Sequence, residues 1–575
     1  MASAASILIL VRLGHRALLG RALTLPQIRR LLAPVPLQLV ANTIARISSL
    51  LENVPHAEAP QVQRRILDGL APQLGPRVYH RLDREHARRG GAAVPAPIMF
   101  EDIPLRMVYE IALTNTEPIE PVGPEEGHLR IVRAILACND HVRDDSFLAP
   151  RPVRFIAAGL ERWAHLEFVS QLARYADSSG DGIARTYDIL HRRYLATGHA
   201  GAARARKALE QATGCDVDTF WALLFALQAQ QRSLDADRVA TTHAWLSVAS
   251  FSTGEFAFPP SQVEGILSLL ARTDTEARQA ALVRHARHLP PAYDNALLFV
   301  KPLLRMGDRV CAPLARLLYA KLSFGLHFTL QFLLPRADRD GFQRDVGTAF
   351  ETYLADVMTR LAQQSDARIA TGTTLYAALG ASDYLPKLCD GLLFSDRGVI
   401  LWDAKTAYGN EELFGGSIAA FRDYYNRHVN RIAAQFASTI DLIRRGAFES
   451  IGLRRDSDIV AMLMVPWLPL PSTPNLARYV RRLAEPVEPG VDWRALSVVR
   501  PSVLEGLEPC VSPEASAIDA MRAYRDSNDM DTGLNNFLLH LPFPGYGTRR
   551  NPYLQTCFAE ATDRLHRVFT SRRAV

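Results

Sequence analysis

From Leu25 to about Leu334 apolar residues recur three and four positions apart, as in Ile156, Leu160 and Trp163, which is the period of helices with one buried face. That stretch reads as mostly α. Ser261 and Glu264, directly after Pro259 and Pro260, have the form of a capping box and predict a helix start. Prolines 118, 121 and 124 mark a connection over 117–127, and Asp177 to Gly182 reads as another. The longest apolar run, Leu322 to Leu334, is interrupted by His327 and Gln331. It falls short of the ~20 residues a membrane helix needs, so no membrane span is expected.

After Arg336 the pattern changes. Val346, Phe350, Leu354, Val357 and Leu361 form one helical stripe. Ile369 to Tyr376, Leu388 to Phe394 and Val399 to Asp403 then read as strands, with Ser395-Asp396-Arg397-Gly398 as the turn between the last two. A second helix follows over about Ser417 to Arg445, carrying Phe421, Ile432, Phe436 and Ile440, and then strands at Ile459 to Val465 and Leu496 to Val499. Ser512-Pro513-Glu514 predicts the start of a C-terminal helix, and Leu554 to Phe569 a last one. The order is α-β-β-β-α-β inside a larger helical protein.

Composition narrows the class without naming it. The 575 residues are 48% hydrophobic and 22% charged, which excludes disordered, collagenous and disulfide-scaffold chains and allows two to four domains. A net charge of +6 permits a polyanionic partner without requiring one. Six cysteines in no close pair argue against a zinc ribbon and point to a reducing, cytoplasmic setting. The first 51 residues hold no acid but carry six arginines among apolar residues; a transit peptide has that composition, and a pair of amphipathic helices is the favoured reading. Only Lys207, Lys301, Lys321, Lys387 and Lys405 are lysines, so each is worth a question.

Lys405 sits beside acids. Residues two apart in a strand share a face, so Asp403 and Lys405 point the same way. A two-residue turn at Asp396 and Arg397 would oppose positions whose numbers sum to 793, which makes Asp390 and Asp403 cross-strand neighbours; a bulge at Gly398 would shift that by one. Two close carboxylates repel unless a cation lies between them. Oxygen ligation without cysteine suits Mg²⁺ or Mn²⁺. A lysine two positions on could hold and help deprotonate a metal-acidified water for phosphodiester hydrolysis. Glu351 lies next to the helical stripe, and Gly347, one turn earlier, removes bulk on the same side.

These segments, Gly347-Thr-Ala-Phe-Glu351, Leu388-Cys-Asp390-Gly-Leu-Leu-Phe394 and Val399-Ile-Leu-Trp-Asp403-Ala-Lys405, resemble the PD-(D/E)XK nuclease superfamily over residues ~340–500. The resemblance implies a restriction-endonuclease-like αβββαβ core in which Glu351, Asp390 and Asp403 bind the divalent metal and Lys405 assists the attacking water. It also implies cleavage leaving a 5′-phosphate, and a helix glutamine that would match Gln435. Cys389 stands where the family name has proline. An acid two before a lysine arises by chance about 0.5 times in a chain of this composition, so the combination of segments carries the weight.

The second helix adds Arg422, Arg427, His428, Arg431, Arg444 and Arg445 behind Gly415-Gly416, a pattern that suits phosphates or a solvated face. Tyr408, Tyr424 and Tyr425 could stack on bases, with core packing favoured. The calcium-like stretch Asp177 to Asp188 has the wrong residues at its eighth and ninth places, and His80/Asp83 and His191/Asp188 read as surface or capping histidines. No GxSxG, P-loop or dinucleotide fingerprint is present.

The expectation is therefore an α+α/β protein. Residues 1–335 form a helical region, divisible near 117–127, that regulates the enzyme, positions substrate or receives a protein partner. Residues 336–505 form the nuclease-like domain, and 506–575 a helical extension. The expected activity is Mg²⁺- or Mn²⁺-dependent cleavage of DNA in defence or repair, with RNA open as substrate. Arg427, Arg431 and Gln435 are the expected nucleic-acid contacts. The rivals are a catalytically silent nucleic-acid-binding or scaffold protein that keeps the fold, and an all-helical interaction protein.

Overall fold

The computed structural model describes residues 13–52, 59–88, 99–115, 119–142, 159–161, 164, 165, 168, 180–232, 243–253, 256–285, 294, 296–380, 387–406, 411–414, 417–464, 474–487, 493, 496–527, 534–540 and 545–573. It is mostly helical with two small mixed sheets, an α+β architecture. Among the described residues no single helix is long and apolar enough to cross a membrane.

The acid-free segment, from residue 13 on, is built into the protein. Its helices span His15–Leu19, Leu25–Leu32 and Leu37–Glu52, with Ile28, Val40, Ile44 and Ile47 wholly buried. Thr24 and Gln27 cap the second of these reciprocally. Over residues 13–51 this composition belongs to amphipathic helices.

A four-stranded sheet inside the helical region was not expected. It comprises β1 (Leu246–Ser247), β2 (Ala271–Thr273), β3 (Leu303–Met306) and β4 (Arg309–Cys311) in the order β1-β4-β3-β2. Strands of two to four residues are too short for alternation to show in a sequence. Three boundaries also differ from expectation. The helix after Pro259 begins at Pro260 with no side-chain cap from Ser261. The run from Leu322 to Leu334 is divided between helices Ala315–Leu322 and Gly325–Leu333. The C-terminal helix expected to start at Ser512 opens at Ala517, where Ser516 and Asp519 form a capping box. The stretch Asp177 to Ser179 lies outside the described residues, and Gly180 already begins a helix. His191 is buried at the heart of that helical segment, 3.7 Å from Asp218 and stacked on Tyr187, so it is a core histidine instead of a surface one.

The second sheet follows a leading helix, Arg336–Gln364, whose stripe Val346, Phe350, Leu354, Val357 and Leu361 is fully buried. Its strands are β5 (Arg368–Thr371), β6 (Gly391–Ser395), β7 (Gly398–Ala404), β8 (Ile459–Met464) and β9 (Leu496–Val499), in that order across the sheet. β5, β6 and β7 form an antiparallel meander, while β8 and β9 add in parallel. A long crossover helix, Ile418–Arg444, capped by Ser417, links β7 to β8. A parallel neighbour requires such a crossover. The strand expected over Ile369 to Tyr376 stops at Thr371; Gly372–Leu379 is helical, as Leu375, Leu379 and the alanines between them favour.

Leu392, Leu393, Val399, Ile400 and Leu401 are all fully buried, so both faces of the β6–β7 hairpin are covered. Each such side chain contributes roughly 1.5–3 kcal/mol of burial. The turn has an extended-to-left-handed Gly398 at φ +149°, where a side chain would meet the Asp458 carbonyl. Arg397 ties the turn to the C-terminal segment through Asp519 and the Pro513 carbonyl. Farther down the leading helix, Tyr353 donates to the buried Glu505 carboxylate, which also takes both arms of Arg185, 2.7 Å at Nε. Arg360 pairs with Glu508 at 2.7 Å. The helical region, the leading helix and the C-terminal helices thus share one buried ionic network.

Candidate active site

The hairpin register places the chemistry. Pairs Gly391↔Trp402 through Ser395↔Gly398 all sum to 793, so no bulge intervenes. Asp390, one residue before β6, lines up with Asp403 near the end of β7. Gly391 matters here: a side chain on it would overlap the Trp402 indole at 2.4 Å. The all-helical rival is removed by this sheet.

The backbone of 388–390 is held on every side. The Leu388 amide donates to Tyr376 Oη at 3.4 Å, and its carbonyl accepts from Gln435 Nε2 at 3.0 Å. The Cys389 amide donates to Thr439 Oγ1 at 3.0 Å, and the Asp390 carbonyl accepts from the Gly372 amide at 2.9 Å. The Asp390 side chain then reaches across, its Oδ2 accepting the Ala404 amide at 2.7 Å.

Lys405 closes the group. Its ammonium contacts Asp403 Oδ1, stands 3.7 Å from Asp390 Oδ2 and donates to the Ala404 carbonyl at 3.2 Å. Asp403 is fully buried in the parallel ladder opposite Leu463, and its Oδ2 has no hydrogen-bond partner among the described residues. Burial, then the charge of Asp390, raises the Asp403 carboxyl well above the usual range, with Lys405 opposing. The same neighbours' acidity raises Lys405 against its own burial.

Glu351 keeps an exposed edge, yet its carboxyl is desolvated enough, with Asp390 adding repulsion and Lys405 opposing, to be pushed up to about 7. Gly347 on the same helix would bring a Cβ to 3.0 Å from Thr406 Oγ1, so the helix passes tightly beside the residue after Lys405. The structure therefore brings Asp390, Asp403 and Lys405 into contact and sets Glu351 within their electrostatic reach.

No known protein family, curated protein or solved structure matches this chain. The site must be read from its own geometry.

Among the described residues, no three His, Cys, Asp or Glu side chains converge into a ready-made metal cage. A divalent cation fits the donor set nonetheless. A buried carboxylate oxygen without a partner, beside a second carboxylate, with one ammonium between them, leaves oxygen donors and negative charge unbalanced. Asp390 and Asp403 would hold such an ion, with Glu351 acting through water.

The expected nucleic-acid contacts divide. Gln435 is buried and engaged with the Leu388 carbonyl, so it buttresses the Asp390 segment and is not on the surface. Arg427 is exposed and paired with Asp423 one turn back. Arg431 is exposed. Arg422 pairs with Glu161 at 2.9 Å, Arg445 with Asp441, and Arg444 donates to the carbonyls of Arg455 and Ser457. Gly415 and Gly416 and Tyr408 lie outside the described residues. Tyr424 and Tyr425 are buried, Tyr425 against Phe421 and Phe168, as core packing requires.

His428, read in the sequence only as part of the basic face of the second helix, is instead a titratable neighbour of the site. His428 lies on the crossover helix with its ring 4.7 Å from Tyr424. Burial, then Arg427, Lys405 and Arg431, lowers it to about 4, which keeps the imidazole neutral at pH 7. Its spacing of seven from Gln435 puts both on one helix face, the signal in the sequence for an inward placement.

Proposed function

We propose that this protein is a divalent-metal-dependent nuclease that hydrolyses phosphodiester bonds of DNA. One observation carries the reading: Lys405 bridges two carboxylates from adjacent arms of a buried hairpin, one of which has an oxygen left without a partner. Order and topology support it as well: a leading helix, an antiparallel meander with a short helix between its first two strands, a crossover helix and a parallel strand are compatible with the αβββαβ arrangement that the resemblance to PD-(D/E)XK nucleases implies.

A bound Mg²⁺ or Mn²⁺ would acidify water and neutralise charge developing on the phosphate. Asp390 and Asp403 would orient that ion, and the Ala404 amide fixes the Asp390 carboxylate for the task. Lys405, held between the acids, would position the attacking water and stabilise the hydroxide it becomes. Glu351, with its carboxyl near neutrality, could take the water's proton. Gln435 and Thr439 act at one remove, by fixing the segment that presents Asp390. The exposed arginines, Arg431 foremost, would meet phosphates on either side of the scissile bond.

The test compares wild type with Lys405→Ala on linear, circular and single-stranded DNA in Mg²⁺, Mn²⁺ or EDTA. Metal-dependent cutting that falls at least 100-fold in the variant, with an unchanged circular-dichroism spectrum, is the expected result. Equal cutting by both proteins would end this reading. Binding of DNA without cutting, insensitive to metal, would favour the silent scaffold.

A further inference from the structure

The arginines of the acid-free segment play no part in the reading above. Helix Leu25–Leu32 lies against helix Pro124–Asn139. Ile28 and Leu32 of the first helix and Ile131 and Ile135 of the second are buried. Gln27, Arg30 and Leu31 of one helix and Glu126, Arg130 and Arg133 of the other, with Arg21 and Leu23, line an open cavity of about 240 Å³. The spacings of three and four put each set on one helix face.

Charge is unbalanced in this space. Arg130 is paired with Glu126 at 2.6 Å, but the Arg21, Arg30 and Arg133 guanidiniums have no acidic partner among the described residues. Four cations against one anion leave three positive charges in excess. Nearby, His15 is held below its ordinary value chiefly by burial, with the Arg133 charge adding to this and the Arg21 carbonyl and Asp140 opposing it. Gln27 Oε1 already accepts the Thr24 amide at 2.8 Å, which leaves its NH₂ group to donate.

We propose that this cavity binds a small phosphate-bearing anion, a phosphomonoester or short oligophosphate of about mononucleotide size. Guanidinium forks match phosphate oxygens two at a time. A phosphomonoester brings roughly −1.5 to −2 of charge and a pyrophosphate more, which suits an excess of three. The volume lies under the ~300–1,000 Å³ of sites that engulf drug-sized ligands, so a polymer could offer only its phosphorylated end. The cavity shares no residue with the Asp390, Asp403 and Lys405 group and does not depend on the nuclease reading.

Isothermal titration of the full chain at about 0.1 M salt with pyrophosphate, AMP, a 5′-phosphorylated oligonucleotide and its unphosphorylated counterpart tests this. We expect one saturable site per chain for at least one phosphate probe, weakened tenfold or more in Arg30→Ala and Arg133→Ala and unchanged in the exposed Arg454→Ala control. AMP alone would assign a free nucleotide, and the phosphorylated oligonucleotide alone a nucleic-acid end. Should Arg133→Ala fail to fold, Arg21→Ala at an exposed position takes its place. Absence of saturable binding by every phosphate probe, equal binding of the unphosphorylated strand, or affinities indifferent to Arg30 and Arg133 would overturn the proposal.

Discussion

The Asp390 carboxylate accepts the Ala404 amide hydrogen across the hairpin at 2.7 Å, so one side chain both completes a strand end and faces Lys405. These two duties are separable by mutation. Asp390→Asn retains an oxygen for the amide and should unfold within about 0.5 kcal/mol of wild type while losing metal-dependent activity; Asp390→Ala leaves a buried amide unpaired and should cost a further 1–3 kcal/mol, about the desolvation penalty of one such group. Urea unfolding of the two variants provides the comparison.

Packing behind the site makes a sharper claim. A Cβ at Gly391 would stand 2.4 Å from the Trp402 ring, a fixed and fully buried side chain. Gly391→Ala should therefore destabilise by about 1–3 kcal/mol, the usual cost of overpacking. Adding Trp402→Leu should recover part of that loss, so the double variant should be more stable than the sum of the single effects. Strict additivity in thermal melts would contradict the contact.

Protonation sets a pH dependence. Burial raises Asp403, and burial with Asp390 raises Glu351 to about 7, so without metal the folded state holds protons that the unfolded chain releases near pH 4. More protons bound in the folded state means that stability from these groups falls as pH rises through that window. In EDTA, wild type should lose stability relative to Asp403→Asn between about pH 4 and 7. Parallel stability curves for the two proteins would refute it. Metal affinity should rise over the same range, because the ion binds the ionised carboxylates.

The ionic network predicts that the unit around the second sheet does not stand alone. Glu505 is buried and bonded to Arg185 and Tyr353, partners from two distant parts of the chain. Glu505→Ala should cost about 3–5 kcal/mol, because it removes the carboxylate that pairs with a buried guanidinium. A fragment covering 336–575 lacks Arg185 and should fail to give a cooperative unfolding transition, whereas the intact chain should give one.

Local rules carried far in the second half of the chain. A two-residue turn and the alternation rule predicted the 793 register, and the stripe from Val346 to Leu361 marked a helix that is buried where expected. Elsewhere the deciding interactions are distant in sequence. Glu505 meets Arg185 across 320 positions, and Gln435 turns inward because the Leu388 carbonyl, 47 positions away, needs a donor. Neither pairing leaves a periodic trace. The strand expected over Ile369 to Tyr376 takes in Gly372 to Tyr376, where helical packing of the buried Leu375 overrides any extended preference of Thr373 and Thr374. β1 and β2 are shorter than one alternation can reveal.

Titration of Mn²⁺ into metal-free protein, read by calorimetry for wild type, Asp390→Asn and Asp403→Asn at pH 7.5, bears most directly on the proposed nuclease site. The predicted result is a saturable site in wild type that weakens at least tenfold in each variant while circular dichroism stays unchanged. A wild type that binds no Mn²⁺, or variants that bind it equally well, would contradict the assignment of Asp390 and Asp403 as its ligands.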